Sequence, residues 1–134
     1  MARNGFDDAI QRGTVGAEAV EGLLAYARSR SRWGRAGVDS ALEAVAMSRV
    51  LAARDPAAHT GLLVRSLRTA ATMMLGRRRP VRALPLAQEA VGLARPAGGA
   101  PLVVCLVTLA EILNALQRHA EAAEAMNEAD KIRH

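Results

Sequence analysis

Apolar side chains recur at intervals of three and four along most of the chain, the period of a helix with one buried face. In 61–75, Leu63, Leu67 and Met74 share one face, and Arg65, Arg68 and Thr72 form a polar stripe opposite. Gly and Pro interrupt the periodic stretches at Gly13 and Gly16, Gly34 and Gly37, Arg54 to Gly61 (RDPAAHTG), Gly76 and Pro80, and Arg95 to Pro101 (RPAGGAP). These marks predict helices over about 15–31, 39–54, 61–75, 80–95, 101–116 and 119–132. The 134-residue chain then reads as a flexible N-terminal segment, 1–13, before a single all-α domain, 14–134. Its hairpins are expected over about 14–55, 61–95 and 100–133.

Local signals refine the ends. Asp39 or Ser40 is the expected N-cap of the second helix, because either side chain can accept from an unpaired first-turn N–H. Pro80 and Pro101 suit first turns, where a missing N–H costs nothing. Pro85 falls in a second turn, so either a distortion or a later helix start is expected there. Gly76 is the expected left-handed residue that ends the third helix.

The chain also repeats itself. Shifted by 39 residues, GLLVRSLRTAATMM (61–74) falls on APLVVCLVTLAEIL (100–113), and VRALPLAQEA (81–90) on AEAAEAMNEA (120–129). Ala71, Ala83 and Ala90 then coincide with Ala110, Ala122 and Ala129. In both copies a small residue midway through one helix is followed by a second twelve positions later and a third after seven more. At these residues the chain resembles the tetratricopeptide repeat family. Leu67 and Met74, then Leu106 and Leu113, occupy the large apolar positions, with Met126 in the last helix. TLAEILNALQRHAEAAEAMNEA resembles the family's bacterial members. The resemblance covers 61–134 well. The first hairpin is similar only in outline, with Ala41 and Ser48 at the small positions of a degenerate repeat. Another all-α helical array is the rival reading.

The resemblance implies a right-handed solenoid of helical hairpins. It also implies a protein-binding role, with a peptide or helix held in the groove lined by the first helix of each hairpin. The groove residues would be Arg65, Arg68 and Thr72, with Val104, Val107, Glu111 and Asn114 of the fifth helix. That surface suits an amphipathic or acidic peptide; the competing reading is a solvated helix face. PLVVCLVTLAEIL is apolar nearly all round, so Val104 and Val107 call for cover by a ligand, by a second copy in a homodimer, or by a segment outside this chain. The last helix carries Glu121, Glu124 and Glu128 outward. It serves as a capping helix or as one more element of a longer array.

Composition changes this picture in two respects. Half the residues are apolar, alanine is abundant, and Phe6, Tyr26 and Trp33 are the only aromatic residues. That favours helices in close approach over small side chains. The formal net charge is +5, with Lys131 the only lysine. Arginine-rich and alanine-rich codons together also fit a GC-rich gene. In a hairpin stack the turns align along one edge, and the arginines fall there. The first turn region has Arg28, Arg30, Arg32 and Arg35 around Trp33. The second has Arg77, Arg78, Arg79 and Arg82. The third has Arg118 beside His119. Such an edge could track phosphates or steer an acidic protein partner. One tryptophan is a poor stacking platform, and no nucleic-acid fold signature appears, so nucleic acid is the lesser alternative.

Chemistry is otherwise sparse. Cys105 is the only cysteine and lies in an apolar run, where it is expected to act as a small buried hydrophobe. His59, His119 and His134 are scattered over a loop, a turn and the terminus. No HExxH, paired cysteines or phosphate-cradling glycine loop occurs, and Gly98–Gly99 follows no strand. No enzyme activity, metal or cofactor is expected. The longest apolar run, Leu102 to Ala110, is far short of the roughly 20 residues that span a bilayer. The N-terminus has no stretch of signal-peptide length. The expectation is a cytoplasmic protein that binds protein or peptide.

Overall fold

The computed structural model describes residues 5–30 and 35–133, with side chains from residue 15 onward. It is all helical among those residues: α1 (Gly5–Ser29), α2 (Arg35–Arg54), α3 (Pro56–Gly76), α4 (Pro80–Ala94), α5 (Gly99–Ala115) and α6 (His119–Arg133). Each helix packs on the next. The α1–α3 and α3–α5 pairs also touch, whereas α2, α4 and α6 keep their backbones apart. Two layers result, with the odd-numbered helices side by side. Ion pairs tie members of each layer together: Glu21 of α1 to Arg65 of α3, Arg49 of α2 to Glu89 of α4, and Arg95, just after α4, to Glu128 of α6.

The small positions form the contact surface between helices. Ala41, Ser48, Ala71, Ala83, Ala90, Ala110, Ala122 and Ala129 are all buried. Leu24, Leu67, Leu106 and Ile112 are the largest side chains fully closed off from solvent. The buried hydroxyls of Ser66, Thr69 and Thr108 donate to carbonyls four residues back, at 2.9, 2.8 and 3.1 Å. No buried side-chain polar atom among the described residues lacks a partner. This matters because an orphaned buried donor or acceptor costs about 1–3 kcal/mol.

The two later hairpins turn in the same way. The N–H of Arg79 donates to Met74 O at 2.9 Å and that of Arg78 to Leu75 O at 2.9 Å. Thirty-nine residues on, Arg118 donates to Leu113 O at 2.8 Å and Gln117 to Asn114 O at 3.0 Å. This double closure is the Schellman motif, whose left-handed residue is usually glycine. Here it is Arg78 (φ 60°) and Gln117 (φ 63°). Gly76 is not the left-handed residue expected of it; it is the last residue of α3, two positions before the one the hydrogen bonds require.

Other helix ends also differ from the sequence expectation. Helix α1 begins at Gly5 rather than near 15 and contains Gly13 and Gly16. Helix α2 begins at Arg35, so Asp39 and Ser40 lie inside it and cap nothing. The Ser40 hydroxyl instead donates to Leu23 O of α1 at 2.8 Å, pinning the first hairpin. Arg54 to Gly61 is not a loop. Asp55 accepts from Ala58 N at 3.2 Å as N-cap of α3, and Pro56 takes the first helical position. An Asp-Pro pair at cap and first turn is a start signal, and it leaves one residue between α2 and α3. His59 is therefore helical. Pro85 lies within α4 on an exposed side, where water can satisfy the Val81 carbonyl that loses its donor. Gly98 and Gly99, both near φ 65°, lead the chain into α5.

Substituting Ala110→Leu should destabilise the fold by about 1–3 kcal/mol, because the extra atoms have no space between packed helices. Ala123→Leu on the exposed face of α6 should change stability by less than about 0.5 kcal/mol. Urea unfolding of both variants measures the difference.

Candidate functional site

The arginines expected along one edge differ in their surroundings. Arg30 lies over the Tyr26 ring, its guanidinium carbon 4.8 Å from the ring centre. Arg28 is exposed near the end of α1. Arg32 and Trp33 fall outside the described residues. Arg118 is paired with Glu121 through two bonds of 2.6 and 3.2 Å. Arg78 supplies the left-handed turn residue. The structure gathers Arg35, Arg77, Arg79 and Arg82 around one notch of about 290 Å³, with Val38, Asp39, Leu42 and Met74 completing its lining.

Local structure explains this convergence. Gly37 lies in the first turn of α2, buried against α1 and α3. A Cβ there would stand 2.6 Å from Met73 Cε and 3.3 Å from Ala27 O. The missing side chain lets the start of α2 lie against the end of α3, placing Arg35 and Asp39 next to the α3–α4 turn. In that turn the Schellman closure reverses the backbone at Arg78. Pro80 then keeps Arg79 out of the helical region, at φ −122° and ψ 61°. Pro80 opens α4, which has neither a side-chain cap nor an acidic residue in its first turn. The partial positive charge of that helix end therefore adds to the guanidiniums.

Comparison of the two equivalent turns shows what is particular to the notch. Arg79 and Arg118 occupy the same position of the repeat, and so do Arg82 and Glu121. In the last hairpin, Glu121 neutralises Arg118. In the middle hairpin the same position adds another cation. Among the described residues, Arg35, Arg79, Arg82 and Asp39 form no ion pair or side-chain hydrogen bond.

The residues expected to line a groove lie on α3 and α5, which touch. Positions 65, 68 and 72 correspond to 104, 107 and 111 across the repeat. Arg65 is already bound to Glu21, at 2.8 and 3.1 Å. The Asn114 side chain holds the His119 ring at 2.8 Å, and Gln117 holds its other nitrogen at 3.1 Å. Thr72 and Glu111 are exposed, and Arg68 is half-buried. Val104 is 42% exposed, but Val107 is half-buried and packs on the core, so the chain itself covers much of it. Cys105 is buried between these layers; burial pushes its thiol pKa up, with nearby Arg68 opposing.

Sequence reasoning missed Val38, Asp39 and Leu42 as site residues. Their only signal is an apolar pair four apart beside an acid, common on any helix. The partners Glu21, Glu89 and Glu128 had no signal, being 33 to 44 residues from their arginines. Among the described residues no three His, Cys, Asp or Glu side chains gather as a metal site would require. No helix there is long and apolar enough to cross a membrane. Comparisons with protein-family models, with curated proteins and with solved structures returned no match.

The Arg65 guanidinium, through its hydrogen bonds first and its charge second, holds the Glu21 carboxyl below its ordinary value of 4.5. A lowered carboxylate pKa stabilises the fold above about pH 4.5 and ceases to do so as pH falls through the folded-state value. Both groups are exposed, so the effect on stability is small. Arg65→Ala should return the Glu21 pKa to about its ordinary value, read by carboxylate NMR titration.

Proposed function

We propose that this chain is a non-catalytic interaction module, a right-handed tetratricopeptide-like array of three hairpins, that docks an acidic segment of a partner protein at the arginine notch. The observation that carries this reading is the gathering of Arg35, Arg79 and Arg82, unpaired among the described residues, around one concave site. Outside the notch, Arg49, Arg65 and Arg95 are matched to glutamate across helices and Arg118 to a glutamate three residues on, while Arg54, Arg68 and Arg133 form no ion pair among the described residues and do not line the notch. At the notch the matching carboxylates are left for a partner to bring, and arginine pairs with carboxylate in a two-bond fork. The array itself is supported by the two turns closed by the same hydrogen bonds and by the buried alanines at matching positions. The closer approach of the odd-numbered helices favours a concave face on that side.

A fluorescent oligoglutamate peptide should bind the protein at low salt, and binding should weaken on raising salt to 0.5 M, as screened ion pairs do. The double variant Arg79→Glu/Arg82→Glu should bind at least ten-fold more weakly, while Arg133→Glu should bind as the unmodified protein does. Salt-insensitive or absent binding overturns the reading. Tighter binding of a single-stranded oligonucleotide than of the peptide would favour phosphate recognition instead.

Val104 favours a second reading. It is a large apolar residue exposed on a helix that is otherwise mostly buried, on the surface where a groove ligand or a second copy would lie. Under this reading light scattering finds a dimer at low and high salt alike, and Val104→Arg converts it to monomer. A monomer under both conditions removes self-association from consideration.

A further inference from the structure

The notch has two chemically different parts. Val38 and Leu42, one turn apart on α2, and Met74 of α3 give it an apolar floor. Leu42 and Val38 are half-buried and pack against the cluster that contains Met74, so the floor continues into the core. Arg35, Arg77, Arg79 and Arg82 stand around it. A phosphate-tracking groove needs only the rim. A floor of this kind adds binding energy only if the ligand places an apolar group on it.

Size and the single acid narrow the ligand further. About 290 Å³ is at the lower limit of small-molecule sites, which run from about 300 to 1,000 Å³, so it can take one large side chain together with part of the peptide that flanks it. Asp39 is an acceptor in its ionised form and has no side-chain partner among the described residues. A phosphate or a nucleic-acid backbone brings further negative charge against it. A peptide brings carboxylates for the arginines and also N–H donors for Asp39.

We propose that the notch recognises a short peptide in which one large apolar side chain is flanked by acidic residues. The apolar side chain seats on Val38, Leu42 and Met74. The flanking carboxylates pair with Arg35, Arg79 and Arg82, and a peptide N–H donates to Asp39. This rests on the notch being the docking site for an acidic partner, and it adds the requirement for an apolar anchor at the centre.

The test uses the full chain and three fluorescein-labelled peptides of equal charge. Their centres are Asp-Glu-Leu-Glu-Asp, Asp-Glu-Phe-Glu-Asp and Asp-Glu-Ser-Glu-Asp, and anisotropy reports binding at two salt concentrations. The leucine or phenylalanine peptide should bind about ten-fold tighter than the serine peptide, the size of effect expected from burying one such side chain. Val38→Ser should reduce that preference, with circular dichroism confirming that the variant is folded. Asp39→Asn, at an exposed position, keeps an acceptor for the peptide N–H and removes a negative charge, so it should strengthen competition by inorganic phosphate without weakening the apolar peptides. Equal, salt-sensitive binding of all three peptides overturns the anchor while leaving the acidic docking reading in place. Absence of salt-sensitive binding by any peptide overturns both. Inorganic phosphate displacing the leucine peptide at equimolar concentration overturns the peptide in favour of a phosphate ligand.

Discussion

Ala71 on α3 and Ala83 on α4 are both closed to solvent because the two helices meet there, and a longer side chain at either position would force them apart. Ala110 and Ala122 hold the matching positions of the next hairpin and are buried in the same way. Close approach over methyl groups sets where each helix lies relative to its partner. Turn geometry, the ion pairs between hairpins and the notch all follow from it. The large side chains, Leu67 and Leu106 foremost, fill the space between hairpins once the alanines have set the spacing. Protein interiors are packed densely enough that this order of control leaves little slack.

The two Schellman turns illustrate how one backbone device can carry different electrostatics. Both close with the same hydrogen bonds and both place a non-glycine residue at positive φ. In one, Glu121 neutralises Arg118, and His119 is held by two amides. In the other the corresponding positions hold Arg79 and Arg82, and Pro80 replaces the histidine. The fold therefore tolerates Arg79 and Arg82 at the second turn with no glutamate between them, and closure does not need that pair. Cost to stability is modest because guanidiniums at a turn remain hydrated and are screened within a Debye length of about 8 Å at physiological ionic strength. Charge that the fold does not require is available for recognition.

The helical segments were legible from periodicity, and the buried alanines from the 39-residue repeat. Errors gathered at helix starts. The Asp55–Pro56 pair is a start signal that glycine and proline counting read as part of a loop. Asp39 and Ser40 have the chemistry of caps, yet a helix can begin earlier when its first turn is held by packing, as Gly37 and Ser40 hold α2. Gly76 has the right composition for a left-handed residue and the wrong position for the hydrogen bonds that need one.

Sequence alone determined the class of structure: helical segments with no strand signal, a 39-residue repeat of the sequence and an arginine-rich charge balance. These depend on local spacing and on composition, which are properties of the chain before it folds. Only the tertiary structure decided which arginines are committed and which are available. Glu21 reaches Arg65, and Glu89 reaches Arg49, across helices that are distant in sequence. Arg35 joins Arg79 and Arg82 because α2 lies against α3, an approach that the absence of a side chain at Gly37 eases. Pairing of charges is a matter of distance in space, and that distance is set by packing over alanine, which a linear reading of charge cannot contain.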